Sequence, residues 1–386
     1  MGTSADDGSG AEGAPVSSAV NRQQKGNTSV NAHLAPQPEQ IAGEWPADGL
    51  EHVEQCPVCG SKARQLLYTG LTDRVFRCAP GHWDLYQCKG CRSAYLDPRP
   101  TPDTIGIAYS TYFTHKVNAK DDLEGLTWTR RLRRTLANGY RNHRFGTNHQ
   151  PSSWLGVLAA QLLPSQRGVI DAEFRHIPNA RPGNKLLDVG CGNGEFLTLA
   201  RAAGWDVVGV DFDPSAVKVA RSRGLDVRQG GVDVLDPEKE TFDGITLSHV
   251  IEHVHDPLAV LRRCHALLKP GGWIWLETPN IESPGHQRYR SDWRGLEPPR
   301  HLVLFARDAL CQALDQAGFN SVEDQPYRPL CATIFAASED IAHGGDSPLM
   351  ATHLSQKARL AAKLTDRKAR RNPILREFIT IRAWKF

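Results

Sequence analysis

The stretch KLLDVGCGNGEFLTLARAAGWDVVGVD, residues 185–211, constrains what this chain can fold into more than any other part of it. An apolar run, Leu186-Leu187-Asp188-Val189, stops in a glycine-rich turn, Gly190-Cys191-Gly192-Asn193-Gly194. A helix-like segment (194–203) follows, then a second apolar run, Val207 to Val210, that ends on Asp211. That is a βαβ unit, and its first turn can bring bare backbone against a ligand because glycine has no Cβ to block the approach. Asp211 stands about 20 residues past the turn, where a carboxylate can accept from ribose hydroxyls. A dinucleotide-binding fold uses the same logic. Two details point elsewhere: the spacing is G-x-G-x-G rather than G-x-G-x-x-G, and Asp188 in the first strand suits a cationic ligand better than a pyrophosphate.

Four segments then occur in order: LLDVGCGNGEFL, VVGVDFDPSAV, FDGITLSHVIEHVHDP and LLKPGGWIWLETPN. On these motifs, residues 181–386 resemble the class I S-adenosylmethionine (SAM)-dependent methyltransferases. The resemblance implies an α/β fold, a Rossmann-like seven-stranded class I sheet. Its strands are expected near 185–189, 207–210, 225–229, 244–247, 273–277, 321–327 and 378–385, with a turn at Lys269-Pro270-Gly271-Gly272 and inserted, Lys- and Arg-faced helices at 335–372. It implies SAM as cofactor, with Asp188, Gly190, Gly192 and Gly194 at the methionine end and Asp211 on the ribose. Phe212 would flank the adenine, and Asp233 would accept from its amino group or simply cap a helix. Ser248 and His249, at the end of the fourth strand, complete the expected cofactor set.

Upstream, CPVCGSK (56–62) and YQCKGCRSAYLDPRP (86–100) each place two sulfurs on a tight turn. Two such turns can offer four thiolates at tetrahedral corners, so Cys56, Cys59, Cys88 and Cys91 form the preferred structural zinc set. Gly60 and Gly90 suit the knuckle turns. The long insertion between the pairs reads as a hairpin or loop; its Cys78 and His82 can substitute as ligands. A thioredoxin-like redox role would need one C-x-x-C beside a helix in a βαβ unit, which is missing here. A zinc-ribbon-like module at 49–100 ahead of a SAM-dependent domain resembles methyltransferases of polysaccharide and natural-product clusters, as does the phrase YLDPRPTPDTIGIAYSTYF.

Residues 1–48 are rich in Gly, Ser, Ala and Pro with little aliphatic spacing, and read as a disordered tail. Residues 101–180 read as a helical linker or lid, with a helix start in TPDTIGIAYSTYF. The basic stretch 128–144, WTRRLRRTLANGYRNHR, is either a solvated helix turning Leu132, Leu136 and Tyr140 inward or a contact for a polyanion, an acidic lipid surface or a pyrophosphate-linked substrate. A net charge of +3 demands no nucleic-acid partner. No apolar run is long enough to span a bilayer, so membrane contact is at most peripheral. Nine cysteines, an odd number, with no secretory leader, suggest reduced thiols in a cytoplasmic protein of open oligomeric state.

The chemistry expected of such a domain is methyl transfer to oxygen or carbon of a small-molecule or carrier-linked sugar acceptor. A histidine near its natural pKa can take the acceptor proton. His301, in PPRHL, and His253, in EHVHDP, are the two candidates; His301 is slightly preferred because it closes a long acceptor-side loop, whereas His253 opens a helix, and either can instead be structural. The segment 249–253 also matches H-x-x-E-H of zinc peptidases, but it spans a strand end rather than a helix. In the ubiquinone-pathway O-methyltransferases, which EHVHDP also resembles, the loop can carry Glu, Glu and His as a metal group; His249 stands here at the first Glu. Two rivals remain: an RNA methyltransferase with a zinc ribbon, disfavoured because SHVIEH replaces an N-P-P-Y-like phrase, and a non-catalytic adaptor that keeps the fold.

Overall fold

The computed structural model describes residues 43–109, 127–235, 239–345 and 348–386. The expected tail lies mostly outside them, as does the end of TPDTIGIAYSTYF. Residues 43–48, assigned to the tail, are described, and Trp45 is buried edge-on against Trp83.

The chain-order elements begin with β1 (Leu50–Glu51), β2 (Arg64–Leu71), β3 (Trp83–Cys88), β4 (Ala94–Leu96) and β5 (Arg99–Pro100). Three helices follow, α1 (Trp128–Phe145), α2 (Leu155–Leu162) and α3 (Pro164–Glu173). The larger half continues β6 (Lys185–Val189), α4 (Glu195–Ala202), β7 (Asp206–Asp211), α5 (Pro214–Ser222), β8 (Asp226–Gln229), β9 (Phe242–Ser248), α6 (Pro257–Leu267) and β10 (Leu268–Pro279). It closes with α7 (Pro284–Tyr289), β11 (Val303–Leu304), α8 (Arg307–Gln316), β12 (Asn320–Asp324), α9 (Cys331–Ala342), α10 (Gln356–Ala369) and β13 (Phe378–Trp384).

A seven-stranded sheet in the order β12-β13-β10-β9-β6-β7-β8 is the centre of the molecule. Its strands from β10 to β8 pair in parallel, whereas β13 runs antiparallel between β10 and β12. The parallel strands are covered on both faces, which explains their unbroken apolar runs such as Ile245 and Leu247 or Val208 and Val210. Local signals start the helices where expected: Asp213 caps α5 ahead of Pro214, and Asp256 caps α6 ahead of Pro257. After β6 the order advances to β7 and β8; after β9 it advances the other way, to β10. The carboxyl ends of β6 and β9 therefore flank a topological switch point, where open α/β sheets bind ligands.

Several local expectations need correction. The turn at Lys269–Gly272 is a bulge inside β10, with the register shifting between Leu268 and Trp273. β12 ends at Asp324 rather than near Tyr327. Two helices do interrupt the chain before β13, but α9 (CATIFAASEDIA) has no basic face; it buries Ile334, Phe335 and Ile341, and only α10 is basic. On α1 the inward face starts late. Asn138 and Tyr140 are buried, but Leu132 is 50% exposed. The crossing with α2 dictates this: a Cβ on Gly139 would stand 1.7 Å from Ser153 O, and one on Gly156 1.8 Å from Leu136 O. The helices touch backbone to backbone there, and the first turns of α1 project beyond.

The cysteine module is not self-contained. Its sheet runs β11-β4-β3-β2, so its edge strand comes from residues 303–304, two hundred positions downstream. A buried ion pair sits behind this join. Arg300, 0% exposed, donates through Nη2 to Asp73 Oδ1 at 2.7 Å and through Nη1 to Oδ2 at 2.9 Å. Asp73 also accepts from the backbone N–H groups of Phe76, Cys78 and Ala79. Removing one partner strands a buried charge. Asp73→Leu should cost about 3–5 kcal/mol in urea unfolding. The double variant Asp73→Leu/Arg300→Met should recover much of that; an Asp73→Leu cost under about 0.5 kcal/mol would deny the pair any structural role.

Candidate functional site

The β6–α4 turn closes the switch point. Gly190, Gly192 and Gly194 all adopt left-handed φ, of 68°, 53° and 79°. A side chain at Gly190 would meet Val250 Cγ2 at 2.5 Å, whereas at Gly192 nothing lies within 4 Å, so that face of the turn is open. Asp211, at the end of β7, accepts from Gly192 N–H at 2.7 Å through Oδ2 and from Asp213 N–H at 2.9 Å through Oδ1. One carboxylate at the end of β7 thus fixes the turn. Phe212 is 75% exposed. It and Asp233, in the 3₁₀ turn Val232–Leu235, flank Gly231: a Cβ there would sit 2.7 Å from Asp233 Oδ1 and 2.9 Å from the Phe212 ring. Gly192, Asp211, Phe212 and Asp233 stand on this open side, whereas a Cβ on Gly194 would meet Leu225 at 2.4 Å.

Asp188 differs from expectation. It is fully buried; its Oδ1 is held by Arg175 Nη1 and by Thr246 Oγ1, the latter at 2.9 Å, while Oδ2 has no hydrogen-bond partner. Burial raises its pKa against the opposing pull of Arg175. Arg175 was missed in the sequence. It stands in the connection from α3 to β6, where Arg175 and His176 both take positive φ, 47° and 53°, and its guanidinium stacks 3.8 Å over Phe196. Nothing in EFRHIP signals such a bend.

Beyond β9, Ser248 ends the strand and His249 takes φ 54°. His249 Nδ1 lies 3.3 Å from Glu252 Oε1, and Nε2 lies 3.6 Å from Glu277 Oε1. Desolvation pulls its pKa down, but the bonds to Glu252 and Glu277 outweigh that and raise it to about 9. Burial opposes ionisation of Glu277, yet His249 and Arg328 bring it down to about 2. Glu277 was legible as a carboxylate at the carboxyl end of a central strand; its pairing with His249 was not.

The two candidate bases lie together, their ring centroids 4.8 Å apart. His253 is half-buried; Nδ1 is 2.9 Å from Arg300 O and 3.1 Å from Tyr109 Oη. Burial lowers its pKa, so it is neutral near pH 7. His301 is 3% exposed, holds Gly295 O through Nδ1 at 2.8 Å, and burial drives its pKa well down. It stands behind His253 rather than at the open edge. Ligand atoms of Glu252, His253 and His301 fall within 4.8 Å of one another, close enough to gather a cation. Beside His249, a shallow depression open to solvent is lined by His176, Glu277, Arg328, Glu377 and Phe378. Burial raises the Glu377 carboxyl to about 7.

In the other half of the molecule, Cys56, Cys59, Cys88 and Cys91 converge, all sulfurs within 4.8 Å. Cys56 and Cys91 sulfurs stand 3.6 Å apart, Cys59 and Cys88 3.5 Å. Four thiolates around one zinc with 2.3 Å bonds give edges of about 3.8 Å, so the donor set and spacing suit that ion. Each knuckle repeats the same backbone bonds, Cys56 N–H to Ser61 O and Cys88 N–H to Ser93 O. The left-handed residue after each pair is Gly60 (73°) and Arg92 (66°), so the second knuckle relies on Arg92 rather than Gly90. The bond to Cys91 and burial push Cys56 well up, while the same bond pulls Cys91 down to about 5. Crowded thiols sharing protons in this way are relieved by a divalent cation. Cys78 is elsewhere, 3.1 Å from Arg300 Nη1, and the exposed His82 also falls outside the cluster.

Comparison with known proteins gives three findings. Residues 166–324 match a family model described as a methyltransferase domain. A ubiquinone biosynthesis O-methyltransferase of Xanthomonas campestris pv. campestris is 43% identical over 108 residues, 26% of this chain and 45% of that protein. One of Bordetella avium is 40% identical over 114 residues, 28% of this chain and 47% of that protein. The chain thus spans less than half the length of these curated relatives. A SAM-dependent methyltransferase structure from Archaeoglobus fulgidus covers 59% of this chain and 99% of its own at 22% identity and a TM-score of 0.40, a loose likeness.

The imidazolium between two carboxylates has a pH signature. His249 should titrate near 9 by NMR, and Glu252→Gln should lower that midpoint. Its folded pKa lies above the ordinary 6.5, so the pairing stabilises the fold fully below about pH 6.5 and is lost as pH rises through about 9. A native midpoint near 6.5 would show that the carboxylates do not hold the charge.

Proposed function

We propose that this chain, whose seven-stranded domain belongs to the class I SAM-dependent methyltransferases, transfers a methyl group to an oxygen of a small hydroxylated acceptor, a carrier-linked sugar being the class we favour. The observation that carries this is the rim at the switch point: an open glycine turn tied to Asp211, with Phe212 and Asp233 beside it. Those residues would hold the nucleoside of SAM, and the guanidinium of Arg175, at the inner end of the turn, would face the amino-acid carboxylate. SAM supplies an activated methyl cation equivalent, so the chain's work is orientation, proton removal and exclusion of water.

His253 is the preferred base. With Nδ1–H donating to Arg300 O, Nε2 keeps its lone pair, and a lowered pKa keeps the ring neutral at working pH. His301, packed against it, orients the ring as a positioning residue. The cationic His249 cannot take a proton near neutrality; its charge favours the negative charge that develops on an attacking oxygen. The depression beside it is lined by Glu277, Glu377, Arg328 and Phe378, mixed charges unlike the continuous basic track that a long polyanion needs. The oxygen acceptor agrees with the printed names of the matched O-methyltransferases. Ubiquinone precursors are therefore the first acceptors to set against nucleotide-linked sugars and RNA.

Zinc in the four-cysteine cluster would close the N-terminal module and take no part in methyl transfer. Purified protein should carry about one zinc per chain. Cys88→Ser should lose it and expose residues 51–100 to protease; unchanged protease resistance of metal-free protein would refute the structural role. At the cofactor rim, Asp211→Ala should weaken SAM binding by about 1.5–3 kcal/mol in calorimetry, whereas His253→Ala should leave affinity unchanged and cut turnover by about 10²–10⁴. Full turnover of His253→Ala would leave approximation alone as the source of the rate. Tight NADH binding without SAM affinity would overturn the assignment.

A further inference from the structure

An apolar and basic surface covers one end of the α1–α2 hairpin and has no task in the methyl-transfer site. Helix α2 turns Leu155, Leu158 and Leu162 to solvent at helical spacing, 48%, 45% and 81% exposed, while Gly156 and Ala160 face inward. Trp154 and Leu163, at its two ends, are 71% and 55% exposed. On α1, Trp128 and Leu132 are 75% and 50% exposed. Helical periodicity places both on the face of Gly139, which packs on Ser153, so they lie on the α2 side. The helices run antiparallel: Asn142 donates to His149 O, Asn138 to Pro151 O, and Ser153 N–H to Thr135 O. The far end of α2 therefore runs beside the first turns of α1, so Leu158, Leu162 and Leu163 share one end of the hairpin with Trp128 and Leu132, while Trp154 and Leu155 stand at the other end of α2.

From residue 127 on, the hairpin's own charge is of one sign, although Asp121, Asp122 and Glu124 precede it in the sequence and Arg141 pairs with Glu173. Residues 127–163 contain arginines at 130, 131, 133, 134, 141 and 144 and no aspartate or glutamate. Arg130 and Arg133 are exposed at the same end as Trp128, while Arg131 and Arg134 have partners of their own. Large apolar groups open to water need a cover. A nucleic acid would neutralise the arginines and leave the leucines wet. A second copy would cover the leucines but bring the same positive charge against itself. A membrane surface with acidic headgroups satisfies both, taking Trp and Leu side chains into the interface and Arg heads at the phosphate level. Eight residues of α2 extend about 12 Å, too short to span, and no helix among the described residues is long and apolar enough to cross a membrane.

We propose that this end of the α1–α2 hairpin docks the protein on an anionic lipid surface. The docking is independent of the methyl-transfer reading and can be measured without it. Full-length protein is sedimented with phosphatidylcholine vesicles with or without one phosphatidylglycerol in three. Binding should require the anionic lipid, fall steeply with salt, and shift the emission of the exposed tryptophans to the blue. Arg130→Glu/Arg133→Glu should weaken it by at least about fivefold per arginine, and Leu158→Ser/Leu162→Ser by tenfold or more, about what losing two buried apolar side chains implies. Both pairs are on the surface, so circular dichroism and melting should stay unchanged. Failure to bind vesicles, or equal binding to neutral ones, overturns the proposal. Binding of tRNA abolished by the arginine pair alone would assign the surface to nucleic acid instead. A dimer in sedimentation that the serine pair dissolves would assign it to a second copy.

Discussion

The buried pair of Arg300 and Asp73 is the interaction on which the rest of the structure depends. It is expensive to leave half-made, because a guanidinium with no access to water needs its carboxylate; both Nη atoms reach Asp73, while Nε faces Glu297 Oε2 at 3.8 Å. Asp73 fixes the loop that follows β2, through three backbone N–H groups and the fork of Arg300. Arg300 in turn sets the position of its own carbonyl, which receives the His253 ring, and of the neighbouring His301. A contact made by the cysteine module therefore decides where the histidines of the larger domain stand. The edge strand β11, lent to the module's sheet, follows within three residues.

This coupling gives the four-cysteine cluster a purpose without catalysis. Zinc there would rigidify β2 to β4, and β4 pairs directly with β11 beyond His301. The switch point lies outside the module, which holds the segment of His253 and His301 in place through Arg300 and β11. Such division is economical for SAM chemistry, in which the methyl donor is already activated and precision of placement dominates the rate.

The second organising feature is the alternation of charge at the carboxyl ends of β9 and β10. Glu252, His249, Glu277 and Arg328 form a chain of opposite charges in partly desolvated surroundings. His249 is cationic, and His253, a few ångströms away by sequence and fold, is neutral. Two imidazoles of one loop thus take opposite protonation states: bonds to Glu252 and Glu277 outweigh burial at His249, whereas burial outweighs the pull of Glu252 at His253.

By itself the sequence determined the sheet. Apolar runs, glycine turns and proline or aspartate caps are local signals, and each of the seven strands lies where its pattern put it, with errors only at the edges of β10 and β12. The cysteine pairs were equally legible, since a C-x-x-C turn places its sulfurs through local geometry. What only the tertiary structure decided was partnership across long separations. Asp188 reads as a ligand group until Arg175 is seen beside it. Gly90 reads as the knuckle residue, yet Arg92 takes the left-handed turn. Cys78 reads as a spare zinc ligand, yet it packs against Arg300. The ranking of His253 over His301 likewise rests on burial. The physical reason is common to all of these. Backbone preference is written in neighbouring residues, whereas burial and charge pairing depend on which distant segment arrives to cover a side chain.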